Sequence, residues 1–140
     1  MASRLSSCIF CQIGGRQLES RILYEDDKFV AFPDRSPAAE HHYLIIPKDY
    51  MPKVSLLRPS DTHLLESMGA IAKQVLEENG ASVSDAKIGF HWPIVSVTHL
   101  HLHAISPASK MNGLFKKAEF SNFFFGTLSD ALTMLEKKQS

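Results

Sequence analysis

Cysteine is scarce in this 140-residue chain: Cys8 and Cys11 are the only two. That rules out a multi-disulfide framework, and a Cys-x-x-Cys pair by itself supplies half of a zinc site, a redox pair, or two small buried thiols. Net charge is lacking too. The 15 basic and 15 acidic residues cancel, so no global field favours nucleic acid and charge gives no reason to expect a membrane surface. Long apolar runs are missing as well: the patch from Cys8 to Ile13 is interrupted by Gln12 and followed by Gly14-Gly15, far short of a signal core or a membrane span. The chain therefore reads as a soluble intracellular protein, expected in the cytoplasm with the nucleus also open. It has no repeats or low-complexity segments, and its length suits one domain over residues 1–140 with a single core.

Against those absences stands His99-Leu100-His101-Leu102-His103. Three imidazoles alternate with aliphatic residues at the two-residue period of a β-strand, which puts the rings on one face and the leucines on the other. Ser96, three residues before His99, can present a hydroxyl beside the same row. A single tetrahedral metal ion fits poorly, because at strand rise His99 and His103 start about 13 Å apart. An extended anionic substrate fits better. A neutral imidazole can attack phosphorus, a neighbouring imidazole can hydrogen-bond phosphoryl oxygens, and a hydroxyl can protonate or steady a leaving group. The chemistry this points to is nucleotidyl or phosphoryl transfer.

The rest of the chain supplies an α+β scaffold. Arg21 to Glu25 and Lys28 to Phe32 are rich in β-formers around a turn at Asp26-Asp27, and His42 to Ile46 is an apolar strand ended by Pro47. Leu64, Leu65, Met68, Ile71, Ala72, Val75 and Leu76 recur at the spacing of one helical face. Ser60 or Asp61 can cap that helix and Gly80 can close it. Ala86 to Phe90 reads as a fourth strand and Val97 to Ile105 as a fifth. Thr127 and Asp130 open a short C-terminal helix with Leu128, Ala131, Leu132 and Leu135 inward; in the Phe-rich run before it, Phe120 to Phe125, the choice for Phe123, Phe124 and Phe125 is between core packing and covering a partner subunit's site, and ordinary packing is favoured. The expectation is a five-stranded antiparallel sheet with one long helix and a short C-terminal helix.

Four segments in order resemble the histidine triad nucleotide hydrolases and transferases: Cys8-Ile9-Phe10-Cys11-Gln12-Ile13, Ala31-Phe32-Pro33-Asp34-Arg35-Ser36-Pro37, His42-Tyr43-Leu44-Ile45-Ile46-Pro47-Lys48, and His99 through Ile105. Ser96 before the triad is similar to the Hint branch, whereas the diadenosine polyphosphate hydrolase branch expects a Gln upstream, and none occurs from Ser82 to Thr98. Gly89-Phe90-His91-Trp92-Pro93 looks most like the third Hint subtype.

The resemblance implies a HIT-like fold and a role for each site residue. His101 would be the nucleophile and form a transient nucleotidyl-imidazole. His103 and His42 would contact phosphoryl oxygens, His99 would orient and support, and Ser96 would bond the bridging atom of the leaving group. Asp34 would accept both ribose hydroxyls, and Ile9, Phe10, Ile13 and Phe32 would form the slot for a purine base. The implied reaction is hydrolysis of purine nucleoside 5′-phosphoramidates and related acyl-nucleotides, releasing AMP or GMP. The alternative is a purine nucleotide sensor or scaffold with little turnover.

No cofactor is demanded. No metal is expected either, since Tyr50 takes the place of a His that completes a structural zinc site in some relatives; a zinc-dependent interaction domain would rest on Cys8 and Cys11 alone. The expected partner is the nucleotide substrate, with neither nucleic acid nor membrane, and family members usually pair as homodimers. One departure stands out. His91, Trp92, Pro93 and Ile94 replace the Asn and Gly residues usual before the triad, which makes His91 a candidate to take over phosphate contacts.

Overall fold

A computed structural model describes residues 22–34, 37–49, 51, 57–91, 100–111 and 125–138. Six strands form one sheet: β1 (Tyr24–Glu25), β2 (Phe29–Pro33), β3 (His41–Pro47), β4 (Lys87–His91), β5 (Leu102–Ser106) and β6 (Phe125–Thr127). Among the described residues two α-helices accompany them, α1 (Thr62–Glu78) and α2 (Leu128–Lys137). The strand order is β1-β2-β3-β5-β4-β6, and every pairing is antiparallel. The expected α+β class holds, with a sixth strand where five were expected. At three residues including Gly126, β6 is too short to carry an alternating pattern, and its Phe125 reads in sequence as one more core aromatic.

Local chemistry explains the boundaries. The β1–β2 turn closes because the Asp26 carboxylate accepts the N–H groups of Lys28 and Phe29, both at 2.8 Å. Asp61 stands at the start of α1, but its carboxylate accepts the Arg58 N–H and fastens the preceding 3₁₀ turn instead of capping α1 itself. At the other end Gly80 takes φ +79°, and Ala81 N–H reaches back to the Leu76 carbonyl at 2.9 Å. The reading of Thr127 and Asp130 as the opening of α2 holds: each side chain accepts the other residue's backbone N–H, at 3.1 and 3.0 Å.

Strand alternation splits the sheet into two faces. On one, Phe29, Ala31, Tyr43, Ile45, Phe90, Leu102 and Ala104 pack against Leu65, Met68, Ile71, Ala72, Val75 and Leu76 of α1 and Ala131 and Leu135 of α2. Burying each large side chain here contributes about 1.5–3 kcal/mol. The opposite face carries a second apolar cluster, Val30, Phe32, Leu44 and Ile46. The same alternation puts the histidines beside that cluster, away from the helices.

Candidate active site

Strand β5 lies between β3 and β4, with His103 opposite Leu44 on one side and Gly89 on the other, while His42 faces Ile105. His42 and His103 are therefore diagonal neighbours on one face. Both are buried, and His42 Nε2 lies 2.9 Å from His103 Nδ1. The other nitrogen of His42, Nδ1, accepts the backbone N–H of Ala38 at 2.9 Å. An imidazole that accepts at Nδ1 carries its proton on Nε2, so the hydrogen-bond pattern has His42 donate to His103 Nδ1. That assigns the proton of neutral His103 to Nε2.

Asp34 is tied into the same group. Its backbone N–H donates to the His42 carbonyl at 2.9 Å, extending the β2–β3 ladder by one bond. Its Oδ2 lies 3.3 Å from His42 Nε2 and 3.9 Å from His103 Nδ1. A cleft of about 380 Å³ opens beside it, lined by Pro33, Pro37, Glu40 and His42 among others. The cleft lies to one side of the imidazoles; His101 and His103 are not in its lining.

His101 precedes the ladder, because β5 begins at Leu102. Its neighbour Leu100 is buried and donates its N–H to the Met51 carbonyl at 3.0 Å, which fixes the approach to the strand. The His101 ring sits 5.2 Å from the His103 ring. From β4, the His91 ring meets His103 edge-on at 4.6 Å, and Phe125 of β6 lies against both, 5.7 Å from His91 and 5.9 Å from His103. Gly89 makes room for this: a Cβ there would lie 2.8 Å from Phe125 Cε2 and would collide with the Gly126 carbonyl. Lys87 Nζ lies 5.5 Å from the centroid of the Phe125 ring, and burial pushes its pKa below the ordinary lysine value.

Among the described residues, two groups have ligand atoms close enough to hold a cation: His91 with His101 and His103, and Asp34 with His42 and His103, each set within 4.8 Å. In the second, the two imidazole nitrogens nearest Asp34 face each other across a hydrogen bond, so a cation there would have to break it. In the first, nitrogens converge from β4, from β5 and from the residue that leads into β5, an arrangement that suits a cation or the oxygens of a phosphoryl group.

Of the residues singled out in the sequence, the fold brings Asp34, His42, His101 and His103 together, and places buried Phe32 in the adjoining apolar cluster. Ile9, Phe10, Ile13, Ser96 and His99 lie outside the described residues, as do Cys8, Cys11 and Tyr50. Both ring nitrogens of His42 have protein partners, which gives it a part in setting His103. Phe125 went unrecognised as a site residue. Its signal would have been the β4–β6 register, His91 opposite Phe125, and no sequence period displays that.

Residues 7–119 match the family model described as scavenger mRNA decapping enzyme C-term binding. The chain is 34% identical over 134 residues to the Xenopus tropicalis protein named adenosine 5′-monophosphoramidase HINT3, covering 93% of this chain and 88% of that one. It is 41% identical over 109 residues to the Arabidopsis thaliana protein named bifunctional adenosine 5′-phosphosulfate phosphorylase/adenylylsulfatase HINT4, covering 76% and 74%. Among solved structures, a HIT family hydrolase from Clostridium thermocellum superposes with a TM-score of 0.65 at 34% identity, over 70% of this chain and 88% of that one.

Proposed function

This chain belongs to the histidine triad superfamily, and on that footing we propose that it is a nucleoside 5′-phosphoramidase working through a nucleotidyl-histidine. The observation that carries the reading is the proton assignment along Ala38, His42 and His103, which leaves His103 with its N–H on Nε2. A ring so fixed is a hydrogen-bond donor for a phosphoryl oxygen beside a neighbouring nucleophile. The relatives named as adenosine 5′-monophosphoramidases support the reaction class.

In the proposed sequence, a ring nitrogen of neutral His101 attacks the α-phosphorus. The P–N bond of the substrate breaks, its electron pair leaves with the amine, which takes a proton from solvent, and Ser96 bonds the departing atom. Water then attacks the same phosphorus and gives up a proton to solvent, the bond to His101 breaks, and the nucleoside monophosphate departs with His101 restored. Asp34 holds the ribose, Phe32, Ile9, Phe10 and Ile13 receive the purine base, and His99 supports the row. His42 acts by positioning His103. Both AMP and GMP are proposed as products. The sequence asks for no metal, because imidazole is the nucleophile and hydrogen bonds take up the charge. A homodimer is part of the proposal, as is a place in the cytoplasm.

The test is turnover of adenosine and guanosine 5′-phosphoramidates by the purified protein, with acyl-adenylate and adenylyl sulfate as further substrates. Release of the monophosphate from the phosphoramidates is expected. Tight AMP binding without turnover would favour the sensor or scaffold reading.

A further inference from the structure

We propose that Asp34 is a positioning residue for phosphoryl chemistry: its carboxylate holds the proton of His42 on Nε2 and, through His42, keeps the N–H of His103 on the nitrogen that meets substrate. The inference rests on the hydrolase reading, in which Asp34 has only the ribose to hold, and gives that carboxylate a second task within the same site.

Three distances carry it. Asp34 Oδ2 lies 3.3 Å from His42 Nε2 and 3.9 Å from His103 Nδ1, and those two nitrogens are 2.9 Å apart. The nitrogen nearer the carboxylate is the one to which the Ala38 contact assigns a proton, and the farther one is left with a lone pair. A negative oxygen attracts an N–H and repels a lone pair, so its charge favours this direction of the imidazole–imidazole bond over the reverse. The side chains of Asp34, His42 and His103 are 18%, 1% and 5% exposed, so water screens little of that preference.

The backbone keeps the carboxylate where it acts. Asp34 N–H donates to the His42 carbonyl at 2.9 Å, so the residue whose proton the carboxylate holds also anchors Asp34 in register. Asp34 and His42 both line the cleft, so a sugar that donates to the carboxylate engages the same group that faces the imidazoles. Nucleoside recognition and the phosphoryl donor thus share one charge, and its loss is felt in kcat as well as in KM.

Two other uses of Asp34 are weaker. As a ribose holder alone, it would have no reason to stand nearer the protonated nitrogen of the pair than the unprotonated one. As a cation ligand with His42 and His103, it would require the 2.9 Å bond between the rings to break.

The test uses Asp34→Asn, which keeps the size of the side chain, an acceptor oxygen and the backbone N–H but removes the charge. Wild type, Asp34→Asn, His42→Ala and the double variant are compared on adenosine and 2′,3′-dideoxyadenosine 5′-phosphoramidates. The dideoxy compound has no ribose hydroxyl to hold, yet Asp34→Asn should lower its kcat roughly 10–100-fold, as for loss of an orienting partner. With adenosine phosphoramidate KM should rise too. In the His42→Ala background the same substitution should leave kcat for the dideoxy compound unchanged, because the ring through which Asp34 acts is gone. Nitrogen NMR of the imidazoles should show neutral His103 protonated on Nε2 in wild type and shifted towards Nδ1 in Asp34→Asn.

A loss confined to the adenosine compound would overturn the proposal in favour of ribose binding alone, and losses that multiply in the double variant would show that Asp34 does not act through His42. Wild-type His103 protonated on Nδ1, or a tautomer unchanged by Asp34→Asn, would overturn it as well. If wild type turns nothing over, the hydrolase reading fails on its own, and the NMR comparison still decides whether Asp34 sets the proton of His103.

Discussion

The Nε2 of His42 lies 2.9 Å from the Nδ1 of His103, and Ala38 N–H occupies the other nitrogen of His42. A backbone group thus sets the tautomer of one ring, and that ring sets the tautomer of the next. Replacing His42 with Ala removes the donor that holds His103 Nδ1. The expected result is a kcat lower by roughly 10–100-fold, the usual cost of losing an orienting partner, with KM little changed. Steady-state kinetics checks this. A raised KM at constant kcat would instead place His42 in direct contact with substrate, the role the sequence resemblance implies for it.

Gly89 has no space for a side chain. A Cβ there would lie 2.8 Å from Phe125 Cε2 and 2.8 Å from Thr127 Cα, besides meeting the Gly126 carbonyl. Backbone atoms cannot swing aside as a side chain can, so Gly89→Ala must part β4 from β6 and shift Phe125 off His91 and His103. Overpacking of this kind costs about 1–3 kcal/mol. Thermal unfolding should show a lower midpoint, together with weaker AMP binding. A midpoint equal to that of wild type would show that the β4–β6 contact is looser than described.

Asp26 gives the fold an acid-sensitive turn. Burial pushes its carboxyl pKa up, but hydrogen bonds from the Tyr24 hydroxyl at 2.6 Å and from the Lys28 and Phe29 N–H groups outweigh this and hold it below the usual carboxylate value. A folded-state pKa below the unfolded one contributes stability that is present above the ordinary carboxylate range and lost as pH falls through the folded value. Asp26→Ala should therefore lower the thermal midpoint by a few degrees near neutrality. That difference from wild type should shrink as pH falls below the ordinary Asp range and through the lowered folded value. A difference that persists in acid would mean that the turn does not depend on the carboxylate's charge.

Much of the scaffold was legible because its signals are local. The apolar period from Leu64 to Leu76 is that of α1, Gly80 adopts the positive φ its place implied, and Thr127 with Asp130 forms the cap their spacing suggested. His101 and His103 were legible as a pair because alternation along one strand needs no knowledge of neighbouring strands, and their rings do meet at 5.2 Å. Contacts made across strands were harder to read. His42 and His103 are 61 residues apart in the chain and meet only through the β3–β5 register, so resemblance to a family, and no period, linked them. His91 and Phe125 depend on two further registers, and β6 is too short to have announced itself.

The central claim is that His101 forms a covalent bond to phosphorus, and it is tested most directly by stopping a single turnover with excess enzyme and locating the nucleotide by mass spectrometry of peptides. A nucleotidyl group is expected on the peptide carrying His101 and not in His101→Ala, with turnover in that variant reduced by several powers of ten. The rate of adduct formation should also fall in acid, because a protonated imidazole has no lone pair with which to attack. A nucleotidyl group on another residue, or a His101→Ala protein retaining more than about a tenth of wild-type turnover, would contradict it.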